Sequence, residues 1–236
     1  MAAAHGHFPN GSDPGQAGGR TTGADGTTDA DDAGSVAAVL FRRAVETLHG
    51  VRPRPEISTG VLPAPKRMAP HAYAMQVSVV DPAGDPDEEL ADGRFVLLHD
   101  PAGQDAWRGR FRVVTLARAD LEPEMGNDPL LPEVSWSWLT GALQARGAAY
   151  DEPGGTVTRA GSHFFGSLGD REATTELEMR ASWTPAEVGE VPALGPHLEA
   201  WCDLLCQLAG LPPVTVEQGT PGGVVPLPQR RGPHAR

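Results

Sequence analysis

The stretch GRFVLLHDPAGQDAWRGRFRVVTLAR, residues 93–118, decides how this chain of 236 residues folds. Apolar and polar residues alternate over 93–100 and again over 107–118, and the intervening PAGQDA is rich in turn-forming residues. A period of two on both sides of a turn predicts a β-hairpin. The sequence therefore predicts an antiparallel sheet at the centre of the fold.

The two faces of this hairpin differ in chemistry. A register that closes on the turn places Phe95 opposite Phe111 and Arg94 opposite Arg112. One face then carries Phe95, Leu97, Trp107, Phe111 and Val113, and the other carries Arg94, Arg108, Arg110 and Arg112. Like charges directly opposite each other repel. The arginines are therefore either neutralised by solvent and nearby acids such as Glu176 and Glu178, or they form a contact surface for an anionic or acidic partner.

Periodicity predicts the remaining elements outward from the hairpin. The strand candidates are 72–80 and a second hairpin formed by 155–168 and 173–183, and the helix candidates are 35–49, 133–146 and 195–209. Consecutive hairpins interrupted by helices are typical of α+β proteins. We expect an antiparallel sheet of about five strands, with about three helices packed mainly on one face.

Composition divides the chain into three parts. Residues 1–34 are acidic, rich in Gly, Ala and Asp, and nearly free of aliphatic side chains, which predicts a disordered arm. Residues 214–236 are rich in Pro and Gly and predict a flexible tail. The intervening 35–213 predicts one α+β domain. Within it, the proline-rich 51–71 is either an ordered strap or a linker.

Charge and targeting signals limit the partners. The formal net charge is −12, which makes general nucleic-acid binding unlikely because that binding depends on cations at the phosphates. No apolar run is long enough for a membrane span, and the N-terminus lacks the regions of a signal peptide. Two cysteines do not make a disulfide framework. We expect a cytoplasmic protein with no membrane partner.

The stretch DLEPEMGNDPLLPEVSWSW, residues 120–138, looks most like chemistry because it contains five carboxylates. Each acid also has a local structural reason, such as a turn at Asp128-Pro129 and the start of a helix at Glu133. The alternative is a Mg²⁺ or Mn²⁺ site formed by Asp120, Glu122, Glu124 and Asp128. We favour the structural explanation.

Other reactive side chains also favour structural explanations. Cys202 and Cys206 lie four residues apart on one apolar helical face, which is typical of buried, reduced thiols. His99 precedes Asp100 at the predicted end of a strand and is expected to be a hydrogen-bonded histidine. The sequence has no nucleophile elbow, phosphate-binding loop or zinc-protease motif. We therefore predict no catalytic, cofactor-binding or metal-binding residue and no cofactor.

Three stretches carry a resemblance to a known family: the hairpin extended to residue 125, DPLLPEVSWSWLTGALQARGAAY and HLEAWCDLLCQLAGLPP. Over about 35–228, the chain resembles the actinobacterial domain-of-unknown-function three-thousand family of compact cytosolic proteins. The resemblance implies no activity and brings no catalytic residues, although gene proximity to a ribonuclease D hints at RNA metabolism. The acidic charge gives that hint no support.

Two functional hypotheses follow from the sequence. The first is a non-catalytic binding or adaptor protein of unknown partner, with the arginine face as the candidate contact surface. The alternative is a hydrolase or nuclease-associated enzyme that uses the carboxylates of 120–133 with a divalent metal.

Overall fold

A computed structural model describes residues 28–81, 89–121, 123–126 and 128–212 of the chain, without the side chains of 28–35 and 123–124. The predicted tail and residues 1–27 of the predicted arm lie outside this description. The helices are α1 (Thr28–His49), α2 (Pro123–Gly126), α3 (Leu131–Ala145) and α4 (Gly195–Leu208). The strands are β1 (Ile57–Leu62), β2 (His71–Val80), β3 (Glu89–Gln104), β4 (Gly109–Leu121), β5 (Tyr150–Ser162), β6 (Thr174–Pro185), β7 (Glu187–Val188) and β8 (Val191–Pro192).

Six of these strands form one antiparallel sheet in the order β1-β2-β3-β4-β6-β5, and β7 pairs with β8 in a separate ribbon. The predicted α+β class with an antiparallel sheet is confirmed. About five strands were expected, and the additional one is β1 at Ile57–Leu62, within the proline-rich segment left open as a strap or linker. β1 runs along the edge of the sheet, with Ile57 opposite Val79.

The register of the central hairpin differs from the predicted one. Phe95 lies opposite Thr115, and Arg94 lies opposite Leu116 rather than Arg112. The reason is that β3 continues through the expected turn to Gln104, with an irregularity in its pairing after His99. The displacement between the two registers is an even number of residues, so the strand residues keep their predicted faces.

The turn of this hairpin covers the residues between β3 and β4, from Asp105 to Arg108. Arg108 closes the turn with a φ of 50°. Trp107 and Arg108 therefore lie in the turn and not on the two strand faces to which the sequence pattern assigned them.

Helices α3 and α4 cover one face of the sheet. Helix α4 packs on β2, β3 and β4, whereas α3 packs on β5 and α4. The indole of Trp201 lies directly over Gly93, where an added Cβ would be 2.6 Å from the ring and 2.3 Å from the carbonyl oxygen of Leu116. The same indole lies 5.7 Å from the ring of Phe95. Close approach of α4 to the sheet thus depends on a glycine in β3.

Helix α1 begins at Thr28, ahead of the cap expected at Ser35. From residue 37 onward its apolar stripe is buried, with Ala44 and Leu48 fully inside the core. No described helix is both long and apolar enough to cross a bilayer.

Candidate functional site

The sheet face opposite α3 and α4, called the open face below, carries a row of small and apolar side chains across all six strands. These residues are paired in register from one strand to the next. They are Leu62, Ala74, Val96, Val114, Ser182 and Gly154. We call them the floor row. Short side chains leave space above the sheet, so the floor row forms the base of a depression.

The neighbouring row of the open face contains two arginines. Its members are Gly60, Gln76, Arg94, Leu116, Arg180 and Thr156. Arg94 and Arg180 lie on either side of Leu116, on strands β3 and β6. Because neighbouring strands are about 4.8 Å apart, the two arginine Cα atoms are about 10 Å apart. We call this second row the arginine row.

The two rows border a groove of about 610 Å³. Its wall on the β1 side is formed by the chain that follows β1, through Pro63, Pro65 and Met68. Met68 is 45% exposed, so it closes the groove only in part. Of the proline-rich segment, residues 57–62 are thus part of the sheet and residues 63–68 border the groove on the open face.

The two arginines of the groove differ in their partners. Arg180 donates to Glu178 at 2.8 Å, and Arg118 donates to the other oxygen of the same carboxylate at 3.0 Å. Burial raises the pKa of Glu178, but the hydrogen bonds from Arg118 and Arg180 outweigh burial and hold that pKa below its usual value. Within the described residues, Arg94 has no hydrogen bond and no ion pair. Arg94 is thus a cation beside an apolar depression, and its charge interacts with that of Asp92 but is not paired with a carboxylate among the described residues.

A comparison with protein families gives a match over most of the chain. The model of the family described as "Protein of unknown function (DUF3000)" matches residues 37–217. The chain belongs to this family. No curated protein and no solved structure matches it. Membership of this family implies no activity for the chain.

The arginines predicted as a contact surface do not act as one group in this DUF3000 chain. Arg112 donates to the carbonyl oxygen of Glu152 at 2.9 Å and to the hydroxyls of Thr184 at 3.0 Å and Ser182 at 2.8 Å. Burial lowers the pKa of Arg112. Its guanidinium therefore links β4 to β5 and β6 through hydrogen bonds.

Two further predicted contact residues are neutralised by the chain itself. Arg110 forms a two-pronged ion pair with Glu187 in the β7–β8 ribbon. Arg108 pairs with the carboxylate of Glu152 at 2.8 Å. Of the four predicted arginines, Arg94 alone lies at the groove.

Sequence reasoning missed Arg180, which completes the arginine row. Its position opposite Leu116 follows from the pairing of β4 with β6, two strands separated in the chain by α3 and β5. Glu178 was expected to neutralise the arginines of the predicted contact surface, but the hairpin arginine that it binds is Arg118, together with Arg180 of its own strand. Alternation along β6 showed that Arg180 faces away from the core, but not which residue lies beside it.

One described acid of the stretch, Asp128, has the local structural role that the sequence predicts. Asp128 accepts a hydrogen bond from the backbone N–H of Leu130 at 2.8 Å, as a turn-forming residue does. Asp120 is exposed and lies opposite Glu176. Glu122 and the side chain of Glu124 lie outside the described residues.

The metal-dependent alternative gains no support from the described residues. Among them, no group of three or more His, Cys, Asp or Glu side chains is close enough to hold a metal ion. Because the carboxylates of Glu122 and Glu124 are outside that set, this alternative stays a prediction.

The cysteines lie in α4 as predicted, buried and without a disulfide. Burial raises the pKa of Cys202 to about 12 and that of Cys206 to about 11. Cys206 lies beside a second cleft, between α3 and α4, whose Arg54, Arg146 and Asp203 all have partners. These thiols are buried core residues, as the apolar helical face predicts.

The prediction of a hydrogen-bonded His99 is wrong. His99 is 1% exposed, and neither ring nitrogen has a partner among the described residues. Its ring stacks on Phe111 at 4.2 Å and on His71 at 5.5 Å. Burial, followed by the charges of His71 and Arg110, lowers the pKa of His99 to about 4. Because β3 continues beyond residue 99, the ring lies within the sheet rather than at a strand end where polar partners are available.

Proposed function

We propose that this DUF3000 chain is a non-catalytic binding protein whose ligand lies in the groove of the open face. The observation that carries the proposal is Arg94, which has no ion pair or hydrogen bond among the described residues, beside a groove of about 610 Å³ with an apolar floor. Sites for small molecules are concave, mostly apolar and equipped with a few polar groups that orient the ligand. The groove has this combination.

The floor row supports the proposal through the hydrophobic effect. Val96 and Val114 are half-buried, and Met68 is largely exposed to solvent. Each Å² of apolar surface that a ligand removes from water contributes about 25 cal/mol to binding. An apolar ligand on these side chains therefore gains free energy without any rearrangement of the sheet.

The polar side chains that line the groove support binding rather than catalysis. The guanidinium groups of Arg94 and Arg180 carry hydrogen-bond donors and no acceptor. The hydroxyl of Ser182 accepts a hydrogen bond from Arg112, and among the described residues no general base accepts a hydrogen bond from it. Such groups hold an anion but do not transfer its proton.

The proposal includes a cytoplasmic location. Cys202 and Cys206 are free thiols. Unpaired cysteines are typical of proteins in a reducing compartment. Immunoblotting of cytosolic and membrane fractions would test this part, and recovery of the chain in the membrane fraction would contradict it.

A neutral fluorescent dye tests the groove independently of charge. We expect Nile red to bind the full chain with increased emission, and Val96→Phe to abolish the increase by filling the space above the floor. The matched control is Val39→Phe, because Val39 is 41% exposed on α1 and remote from the groove. Dye binding that is equal in both variants and in the unchanged chain would contradict the proposed site.

A further inference from the structure

Arg94 and Arg180 are placed to bind one anion together. Both flank Leu116 in the arginine row, with their Cα atoms about 10 Å apart across two strand spacings. Arginine side chains are long enough for both guanidinium groups to reach a single group above Leu116. A guanidinium binds a carboxylate through two parallel hydrogen bonds, which fixes the position of the anion.

The charges around this position favour a single negative charge. The arginine row and the row beside it contain Arg94, Arg118 and Arg180 as cations and Asp92 and Glu178 as anions. Their formal charges leave +1, which a monoanion neutralises. Asp120 and Glu176 on one side and Arg112 on the other lie two rows from Arg94, about 14 Å along the strands, where solvent screening weakens their effect.

A neutral apolar ligand leaves Arg94 without a hydrogen-bond acceptor. It would remove water from Arg94 without supplying an acceptor, and burying an unpaired charge is costly. Arg180 already shares Glu178 with Arg118, so it does not release that carboxylate to Arg94. Asp92 interacts with the charge of Arg94 but forms no hydrogen bond or ion pair with it, so a ligand that brings its own anionic acceptor is favoured over a neutral one.

The floor row provides an apolar surface of defined length for the apolar part of the ligand. From Val96 the floor row passes over Ala74 to Leu62, which is two strand spacings or about 10 Å. Beyond Leu62 the wall residue Met68 offers a flexible apolar contact. With C–C bonds of about 1.5 Å, this track suits a chain of roughly eight carbons.

We infer that the groove binds a monoanionic alkyl carboxylate, whose head group is held by Arg94 and Arg180 and whose chain lies on the floor row toward Met68. This inference rests on the proposed binding function of the groove. It adds the chemical class, the charge and the direction of the ligand.

Calorimetric titration of the full chain with octanoate, octan-1-ol and acetate tests the inference. We expect octanoate to bind, octan-1-ol to bind at least about tenfold more weakly, and acetate to show no saturable binding. A charged hydrogen bond is worth enough that Arg94→Gln should weaken octanoate at least about tenfold, with Arg94→Lys in between. Arg94→Gln should leave octan-1-ol unchanged. The matched control is Arg42→Gln, because Arg42 is exposed on α1 and has no ion pair among the described residues.

The outcomes distinguish an error in the carboxylate assignment from an error in the groove as the binding site. Equal affinity for octanoate and octan-1-ol, or full octanoate binding by Arg94→Gln, would overturn the carboxylate assignment. If Val96→Phe still abolished binding in that case, the groove would remain the site. Octanoate binding that survives Val96→Phe, or no binding of either eight-carbon compound, would overturn the inference and the proposed function together.

Discussion

Gly93 controls how closely the central helix approaches the sheet. A methyl group at this position would collide with the carbonyl oxygen of Leu116 and with the indole of Trp201. Overpacking of this kind costs about 1–3 kcal/mol, so Gly93→Ala should lower the free energy of unfolding by that amount. Urea denaturation measures it, and Gly60→Ala is the control because an added Cβ there meets nothing within 4 Å. Equal stability of the two variants would contradict the close packing of Trp201 on β3.

Two buried histidines make the stability of the chain depend on pH. Burial lowers the pKa of His99 and that of His197 to about 4. His197 is neutral when its Nδ1 accepts the indole N–H of Trp183 at 3.1 Å. In the unfolded chain an imidazole has a pKa of about 6.5, so between pH 6.5 and 4 the unfolded state binds protons that the folded state does not.

The free energy of unfolding should therefore be highest above pH 6.5 and fall as the pH is lowered toward 4. Below pH 4 the two histidines should cause no further decrease. Each histidine contributes on the order of 3 kcal/mol to the total loss. Urea denaturation at pH 7, 6 and 5 measures the slope, in a range above the titration of the lowered carboxyl groups of Glu56 and Glu178. A free energy of unfolding that is constant from pH 7 to pH 5 would contradict the burial of both rings.

Replacing His99 isolates its share of this effect. A phenyl ring keeps the stack with Phe111 and carries no proton, so His99→Phe should reduce the slope between pH 7 and pH 5. It should also leave stability at pH 7 unchanged or higher, because two buried nitrogens without partners are removed. An unchanged slope in His99→Phe would show that the ring is hydrated and titrates normally.

At the scale of elements, α4 packs against α3 and against strands β2, β3 and β4. Its buried side chains include both cysteines, and burial raises their pKa values far above neutrality. Because the thiolate is the reactive form, we expect neither thiol of the folded chain to react with Ellman's reagent at pH 8 within minutes. Both should react at once in 6 M guanidinium chloride. Rapid modification of either thiol in the folded chain would show that α4 is accessible from one side.

Sequence periodicity located the elements that have a repeated pattern of their own. Helix α4 and strand β6 match the predictions closely, because their apolar residues recur at regular spacing over a full element. Edge strand β1 was not assigned, since ISTGVL is short and its neighbours are prolines. The hairpin register was also wrong, because its turn depends on Arg108 adopting a positive φ, which composition does not indicate.

The candidate site was predictable only in part for a related reason. Alternation along β3 placed Arg94 on the face away from the core, and this holds. The floor row, in contrast, combines one residue from each of six strands, so it depends on strand order. Strand order arises from long-range packing, which a local pattern does not contain. The groove therefore depends on the position of β6 between β4 and β5, which the sequence pattern does not indicate.

At the scale of the whole molecule, the buried core is confined to one segment. Every buried apolar residue of the described ranges lies between Ala37 and Leu208. A fragment of residues 37–212 therefore keeps this core together with all six strands of the main sheet. We expect it to unfold in one cooperative transition, with far-ultraviolet circular dichroism and tryptophan fluorescence changing together. Its free energy of unfolding should lie within about 1 kcal/mol of that of the full chain, since surface changes rarely exceed half that value each.

A shorter fragment, 52–212, is the control because it also removes the rest of α1. This deletion takes away Ala44 and Leu48, which are fully buried, and the ring of Phe41 that stacks on His71 at 5.5 Å. Burial of one leucine contributes about 1.5–3 kcal/mol, so the loss should be at least about 3 kcal/mol and the transition should broaden or disappear. If 52–212 unfolded with the same free energy as 37–212, α1 would not belong to the core. If 37–212 unfolded in two separate transitions, the sheet and its helices would not form the single cooperative unit that a groove spanning β1 to β5 requires.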